Sequence, residues 1–151
     1  MIWIGIDPGG SGGMALICNG DIIAHKMPET EQDAYRILRP IAQAENGCKA
    51  YIEKVGAMPG QGVTSMFSFG QSYGFLRGLL VALEIPFEEV RPQAWQKMFG
   101  LIQKGQKLSQ TDKKNRNKQK AQQLWPHLKI THAVADALLI AEYGRRANLG
   151  V

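Results

Sequence analysis

The spacing of apolar and polar positions changes several times along the chain, and each change marks an element. Met1 to Ile6 is an apolar run, the mark of a buried strand. It delivers Asp7 to its end, just before the glycine-rich turn Pro8-Gly9-Gly10-Ser11-Gly12-Gly13. Met14 to Cys18 reads as a second strand, Asn19-Gly20 as a two-residue hairpin turn, and Asp21 to Met27 as the returning third strand, closed by Pro28. If the glycine turn also reverses the chain, the first three strands are antiparallel. Helical spacing then takes over from Glu29 to Asn46, through Tyr35, Leu38, Ile41 and Ala42, with Asn46-Gly47 as the stop. Pro40 should kink or split that helix. Cys48 to Ile52 is a short strand ending on Glu53, followed by a flexible loop from Gly56 to Gly62.

Thr64 to Leu83 is the longest helix candidate. Its Gly70, Gly74 and Gly78 share one face, although each glycine costs about 1 kcal/mol against alanine in a helix. A stripe this smooth lets another backbone approach, first of all the chain's own sheet and alternatively a second subunit. Ile85 to Val90 is an edge-like strand because it tolerates Pro86. Arg91-Pro92 opens a short helix through Phe99, and Gly100 to Thr111 has the composition of a loop. Thr111 or Asp112 caps a helix to about Trp125, and the last helix runs from about Thr131 to Ala147. Trp3, Trp95 and Trp125 are assigned to packing.

The 151 residues, 44% of them apolar and 21% charged, are enough for one globular domain spanning 1–151 with a real core. No apolar stretch is long enough to span a membrane. The chain enters a strand without a basic leader, so a cytoplasmic protein is expected. Cys18 and Cys48 lack metal-ligand spacing and read as free thiols in a reducing compartment. Charge changes the picture more. The formal net charge is +5, yet Lys104, Lys107, Lys113, Lys114, Arg116, Lys118 and Lys120 face only Asp112 within their segment, a net +6. The other eleven cations and twelve acids leave the rest of the chain at −1. A basic excess held in one segment points to a polyanion partner.

Three carboxylates carry the candidate chemistry. Asp7 ends the first strand, Glu53 ends the fourth, and Asp136 lies within the most apolar part of the last helix. Singly, Asp7 reads as well as a turn residue beside Pro8, and Asp136 as a solvent-facing one. Together they match a rim of strand ends that collects functional groups in an α/β sheet. Converging carboxylates repel one another, and a hard divalent cation such as magnesium relieves this with open positions for water. Such a site suits phosphodiester hydrolysis. His132, one helical turn before Asp136, is placed to ligate a metal, orient water or shuttle a proton.

Ile4-Gly5-Ile6-Asp7-Pro8-Gly9, then Tyr51-Ile52-Glu53-Lys54-Val55, then Ala135-Asp136-Ala137-Leu138-Leu139-Ile140-Ala141 resemble, in order and spacing, the RuvC Holliday-junction resolvases, especially their bacteriophage branch. The resemblance implies an RNase H-like α/β fold, a mixed five-stranded sheet with helices on both faces. It implies a homodimer that binds four-way DNA junctions and nicks opposing strands with Mg2+ or Mn2+. Asp7, Glu53 and Asp136 would then be the metal ligands and, with His132, the catalytic set. The seven cations from Lys104 to Lys120 would contact DNA. The chain departs from the family at position 133, where the first acid of the last-helix Asp-x-x-Asp pattern is replaced by Ala133. Two alternatives follow: a branched-DNA-binding protein that does not cut, and a sugar-kinase-like phosphotransferase sharing the first hairpin. The second would need a far longer chain and has no use for the basic segment.

Overall fold

The computed structural model describes residues 1–151. Its elements are β1 (Ile2–Asp7), β2 (Gly13–Cys18), β3 (Asp21–Lys26), α1 (Glu31–Ala42), β4 (Cys48–Glu53), α2 (Val63–Ala82), β5 (Phe87–Val90), α3 (Pro92–Met98), α4 (Gln110–Leu124) and α5 (His132–Leu149). The strands form one five-stranded sheet in the order β3-β2-β1-β4-β5. β1, β2 and β3 are antiparallel, while β4 runs parallel to β1 and to β5. This is the mixed five-stranded α/β sheet that the resemblance implies, with the three antiparallel strands that the pattern predicts.

Strand alternation sorts side chains between two cores. Ile4, Ile6, Met14, Ala50 and Ile52 join α1 and α2 residues such as Leu38, Ile41, Leu76 and Leu80. Trp3, Ala15, Ile17 and Tyr51 join Trp95 of α3, Ala121 of α4 and the α5 run Val134 to Ala141. By the same alternation Asp7 shares the face of Trp3 and Gly5, and Glu53 shares the face of Tyr51. Both acids therefore project to the α5 side.

The contact between β1 and α5 is close because Gly5 has no side chain. A Cβ there would lie 2.1 Å from the Ala137 carbonyl oxygen and 2.4 Å from the Ala141 amide nitrogen. Both are backbone atoms of α5 and cannot yield by rotating. Gly13 plays the same part at the start of α5, where a Cβ would lie 2.5 Å from the Ala133 carbonyl oxygen. Gly5→Ala should therefore cost at least about 1–3 kcal/mol, read as a lower urea midpoint. An unchanged midpoint would mean that α5 does not sit on Gly5.

Three local expectations are corrected. Pro40 lies inside α1 without splitting it. It falls in the exposed last turn, where its missing N–H costs a single helical hydrogen bond. The cap of α4 is Ser109, not Thr111 or Asp112. Ser109 Oγ accepts from the Asp112 amide at 3.1 Å and donates to Asp112 Oδ2 at 2.6 Å, satisfying an orphan N–H of the first turn. The glycine stripe of α2 does not pack on the sheet. Gly70, Gly74 and Gly78 have open space where a Cβ would point, and Leu76, Leu79 and Leu80 on the other side make the buried contact. Cys18 and Cys48 are free thiols, as expected. No helix is long and apolar enough to cross a membrane.

Candidate active site

β1 and β4 run side by side in parallel, with Ile6 opposite Ile52, so Asp7 and Glu53 end neighbouring strands at the same rim. Gly12 sits against this rim, where a Cβ would lie 3.0 Å from the Asp7 carboxyl carbon. α5 crosses above, pinned at Ala133 and Ala137 by the two glycine contacts, and Asp136 lies between those pins. The three acids feel one another. Burial, then the charges of Asp136 and Glu53, hold the Asp7 carboxyl well above the usual range, while Lys114 pulls it down. Burial pushes Glu53 up to about 7, opposed by a hydrogen bond from Trp95 and reinforced by Asp136. Burial also raises Asp136, against the Asn117 hydrogen bond and the charges of Lys114 and His132.

Asp7, Glu53, Asp136, His132 and Lys114 are thus brought within electrostatic reach of one another. The acids do not close around one point, however. No three His, Cys, Asp or Glu side chains stand close enough to hold an ion between them. The donor set still fits a hard divalent cation. It consists of carboxylate oxygens, raised above their ordinary range by burial first and, at Asp7 and Glu53, by neighbouring carboxylate charge, and a cation relieves both costs.

Their immediate partners come from residues with other sequence signals. Trp95 Nε1 donates to Glu53 Oε2 at 2.8 Å, so a tryptophan assigned to packing also orients an acid. Asn117 Nδ2 donates to Asp136 Oδ1 at 3.0 Å. His132 is exposed and its Nε2 lies 2.8 Å from Asn115 Oδ1. Asn115 and Asn117 were not singled out by sequence. The signal for Asn117 was its place one turn before Ala121, on the only stripe of α4 that is buried.

The basic segment is divided by the fold. Lys104 and Lys107 lie in the loop before α4, and the other five cations lie on α4. The helical period puts Lys114 and Lys118 on one flank of the Asn117–Ala121 stripe and Lys113, Arg116 and Lys120 on the other. Of these cations Lys114 lies near enough to the acids to pull Asp7 and Asp136 down. Lys113 and Arg116 instead border a cavity of about 200 Å³ against Gln96, Leu101 and Gln106. Lys104, Lys107, Lys113 and Lys114 are exposed, whereas Arg116, Lys118 and Lys120 are half-buried.

The aromatic residues at the start of α2 also part company. Phe69 packs over Gly9 beside the Asp7 turn, and Tyr73 donates to Glu89 Oε1 at 2.6 Å. Phe67 stays 67% exposed, which leaves it alone among the three as a free aromatic face.

No protein-family model matches the chain, and no curated protein matches it either. Solved structures do. A Thermus thermophilus RuvC structure aligns over 99% of this chain and 97% of its own, with a TM-score of 0.64 and 14% identity. The T. thermophilus RuvC in complex with a Holliday junction substrate aligns over the same shares, with a TM-score of 0.66 and 14% identity. At that identity the likeness establishes the fold: a RuvC-like, RNase H-like α/β architecture spanning nearly the whole chain.

Proposed function

We propose that this protein is a structure-selective, divalent-metal-dependent DNA endonuclease that binds four-way junctions and nicks opposing strands. The observation that supports the reading is that β1, β4 and α5 bring Asp7, Glu53 and Asp136 within electrostatic reach of one another, with Lys114 in reach of Asp7 and Asp136. Their role as ligands and catalysts is part of the proposal. So is membership of the bacteriophage branch, which rests on the motif resemblance alone, and so is a cytoplasmic location.

In this reading Asp7, Glu53 and Asp136 would hold Mg2+ or Mn2+, which supplies a Lewis acid and a water made acidic enough to attack a phosphodiester. Trp95 and Asn117 keep Glu53 and Asp136 in place. Lys114 offsets negative charge where a phosphate approaches the acids. His132, tied to Asn115, is positioned to pass a proton to or from solvent. Lys104, Lys107, Lys113, Lys118, Lys120 and Arg116 extend the cationic surface along the DNA backbone, which they hold without reading sequence. Phe67 offers a ring on which an unpaired base at the branch point stacks.

A homodimer belongs to the same proposal. Gly70, Gly74, Gly78 and Val81 continue one open stripe of α2 beyond Phe67, and Val81 is 66% exposed. A second copy on this stripe would give two equivalent sites, which matches two equivalent strands of a junction.

The test uses a synthetic four-way junction with Mg2+. Paired nicks on opposing strands are expected, and none with EDTA. If about four phosphates are neutralised per subunit, log affinity should fall with log salt at a slope near −3.6. A protein that neither nicks nor binds the junction would end the proposal. One observation favours a second reading, a junction binder that does not cut: no three acids or histidines close on one point, and position 133 is alanine. A protein that binds the junction and nicks it neither as the parent nor as Ala133→Asp would establish that reading, whereas nicking regained in Ala133→Asp would mark an impaired enzyme.

A further inference from the structure

Asn117 is 3% exposed, the one neutral polar side chain buried in this protein. Its amide nitrogen is used, donating to Asp136 Oδ1 at 3.0 Å. Its carbonyl oxygen Oδ1 is buried and has no hydrogen-bond partner. Leaving a buried carbonyl unpaired is unfavourable, and native proteins rarely do so without a reason. A polar group that was only structural would be matched on both atoms, or replaced by an apolar one in a helix interface otherwise built on Ala121.

Position and chemistry together say what would match it. The amide group is a direct neighbour of the Asp136 carboxylate, and Lys114, one turn earlier on the same helix, acts on both Asp7 and Asp136. The three carboxylates by themselves do not close on a point. A neutral amide oxygen is a hard donor of the kind that divalent cations accept beside carboxylates. It adds a ligand without adding a fourth mutually repelling charge.

We infer that Asn117 is a neutral oxygen donor of the acidic site, giving its carbonyl oxygen to a divalent cation while its amide nitrogen holds Asp136. This rests on the proposal that the acids bind a metal. The arrangement makes α4 part of the metal site as well as a carrier of cations. Binding the ion would then draw the basic helix and α5 together through one side chain.

Calorimetric titration with Mn2+ alone, without DNA, separates the possibilities. Asn117→Ala should weaken Mn2+ binding about tenfold or more, the scale seen when supporting groups of metal sites are removed. Asn117→Asp keeps an oxygen at the same place, adds charge and loses the N–H. As an oxygen donor it should bind Mn2+ at least as tightly as the parent. If Asn117 served Asp136 only through its N–H, Asn117→Asp would be as weak as Asn117→Ala, and the inference would fail. Unchanged binding in Asn117→Ala would also overturn it. Should Asn117→Ala fail to fold, as circular dichroism would reveal, the near-isosteric Asn117→Asp alone decides. Asp7→Asn is the control. A parent that binds Mn2+ and loses it in Asp7→Asn, while Asn117→Ala binds normally, removes the role of Asn117 and leaves the metal site standing. A parent that binds no Mn2+ removes both.

Discussion

Asp7→Asn should produce a protein that no longer nicks a four-way junction yet melts at a higher temperature than the parent at about pH 8 in EDTA. The two effects come from one cause. The Asp7 carboxyl is pushed well above its usual range by burial and by the charges of Asp136 and Glu53. Wherever it is ionised, its charge therefore works against the stability of the fold. The amide has nearly the same shape, so it fits beside Gly12, and it carries no charge to be repelled. Metal-free stability rises for that reason. Cleavage falls because an amide is a weaker, uncharged ligand where the proposed mechanism needs an anionic oxygen. A loss of about a thousandfold or more, roughly 4 kcal/mol in the barrier, is expected. Junction affinity should hardly change, since the cations of α4 and its preceding loop are untouched. Thermal melts in EDTA, a gel-shift titration and a nicking assay read the three quantities separately. A lower melting temperature would show that Asp7 is a structural residue, and undiminished nicking would remove it from the site.

Much of this candidate site is legible in the sequence. An apolar strand that ends on an acid and exits through glycine is conspicuous, and it occurs at both Asp7 and Glu53. Period-two alternation then fixes which face each acid occupies, once Trp3 and Tyr51 are known to be core residues. Parallel pairing of β1 with β4 did not follow from local pattern, but the helix between them required a crossover and so favoured it. Asp136 is legible only beside the other two, since alone it reads as a solvent-facing residue in the run from Ala133 to Ile140.

The parts that were not legible share a physical character. Ser109, Thr111 and Asp112 are all capping types, and α4 is too polar for an apolar stripe to mark its first turn, so the cap fell to the wrong residue. The same polarity hid Asn117, which is buried by the position of α5 and not by its own chemistry. Trp95 was read correctly as a core residue, yet its indole N–H finds Glu53 only because α3 folds across the end of β4. For α2, the glycine stripe and the leucine stripe are both smooth apolar faces. Composition does not decide which meets the sheet. The larger leucines bury more surface there, and the glycines are left outward.

Stability in EDTA should fall as pH rises from about 5.5 to about 8, the reverse of what paired surface carboxylates produce. The sign follows from Glu53. Its carboxyl titrates at about 7 when folded against 4.5 when exposed. Below the lower value it is protonated in both states. Between the two the unfolded chain releases a proton that the folded chain keeps, so unfolding gains. Above the higher value the loss is complete. Glu53 alone accounts for about 2 kcal/mol between about pH 5.5 and 8, or about 4–8 °C of melting temperature for a chain of this size. Asp7 and Asp136 are raised as well and add in the same direction. Asp33, Glu89 and Glu142 are lowered, so their contribution is lost only at more acidic pH and leaves this window alone. Mg2+ should flatten the slope by stabilising the protein more at pH 8, where the acids hold fewer protons, than at pH 5.5. Glu53→Gln should flatten it without metal. An EDTA melting curve that rises across this window would mean that the acids are not buried together at the β1–β4 rim, and the proposed metal site would go with them.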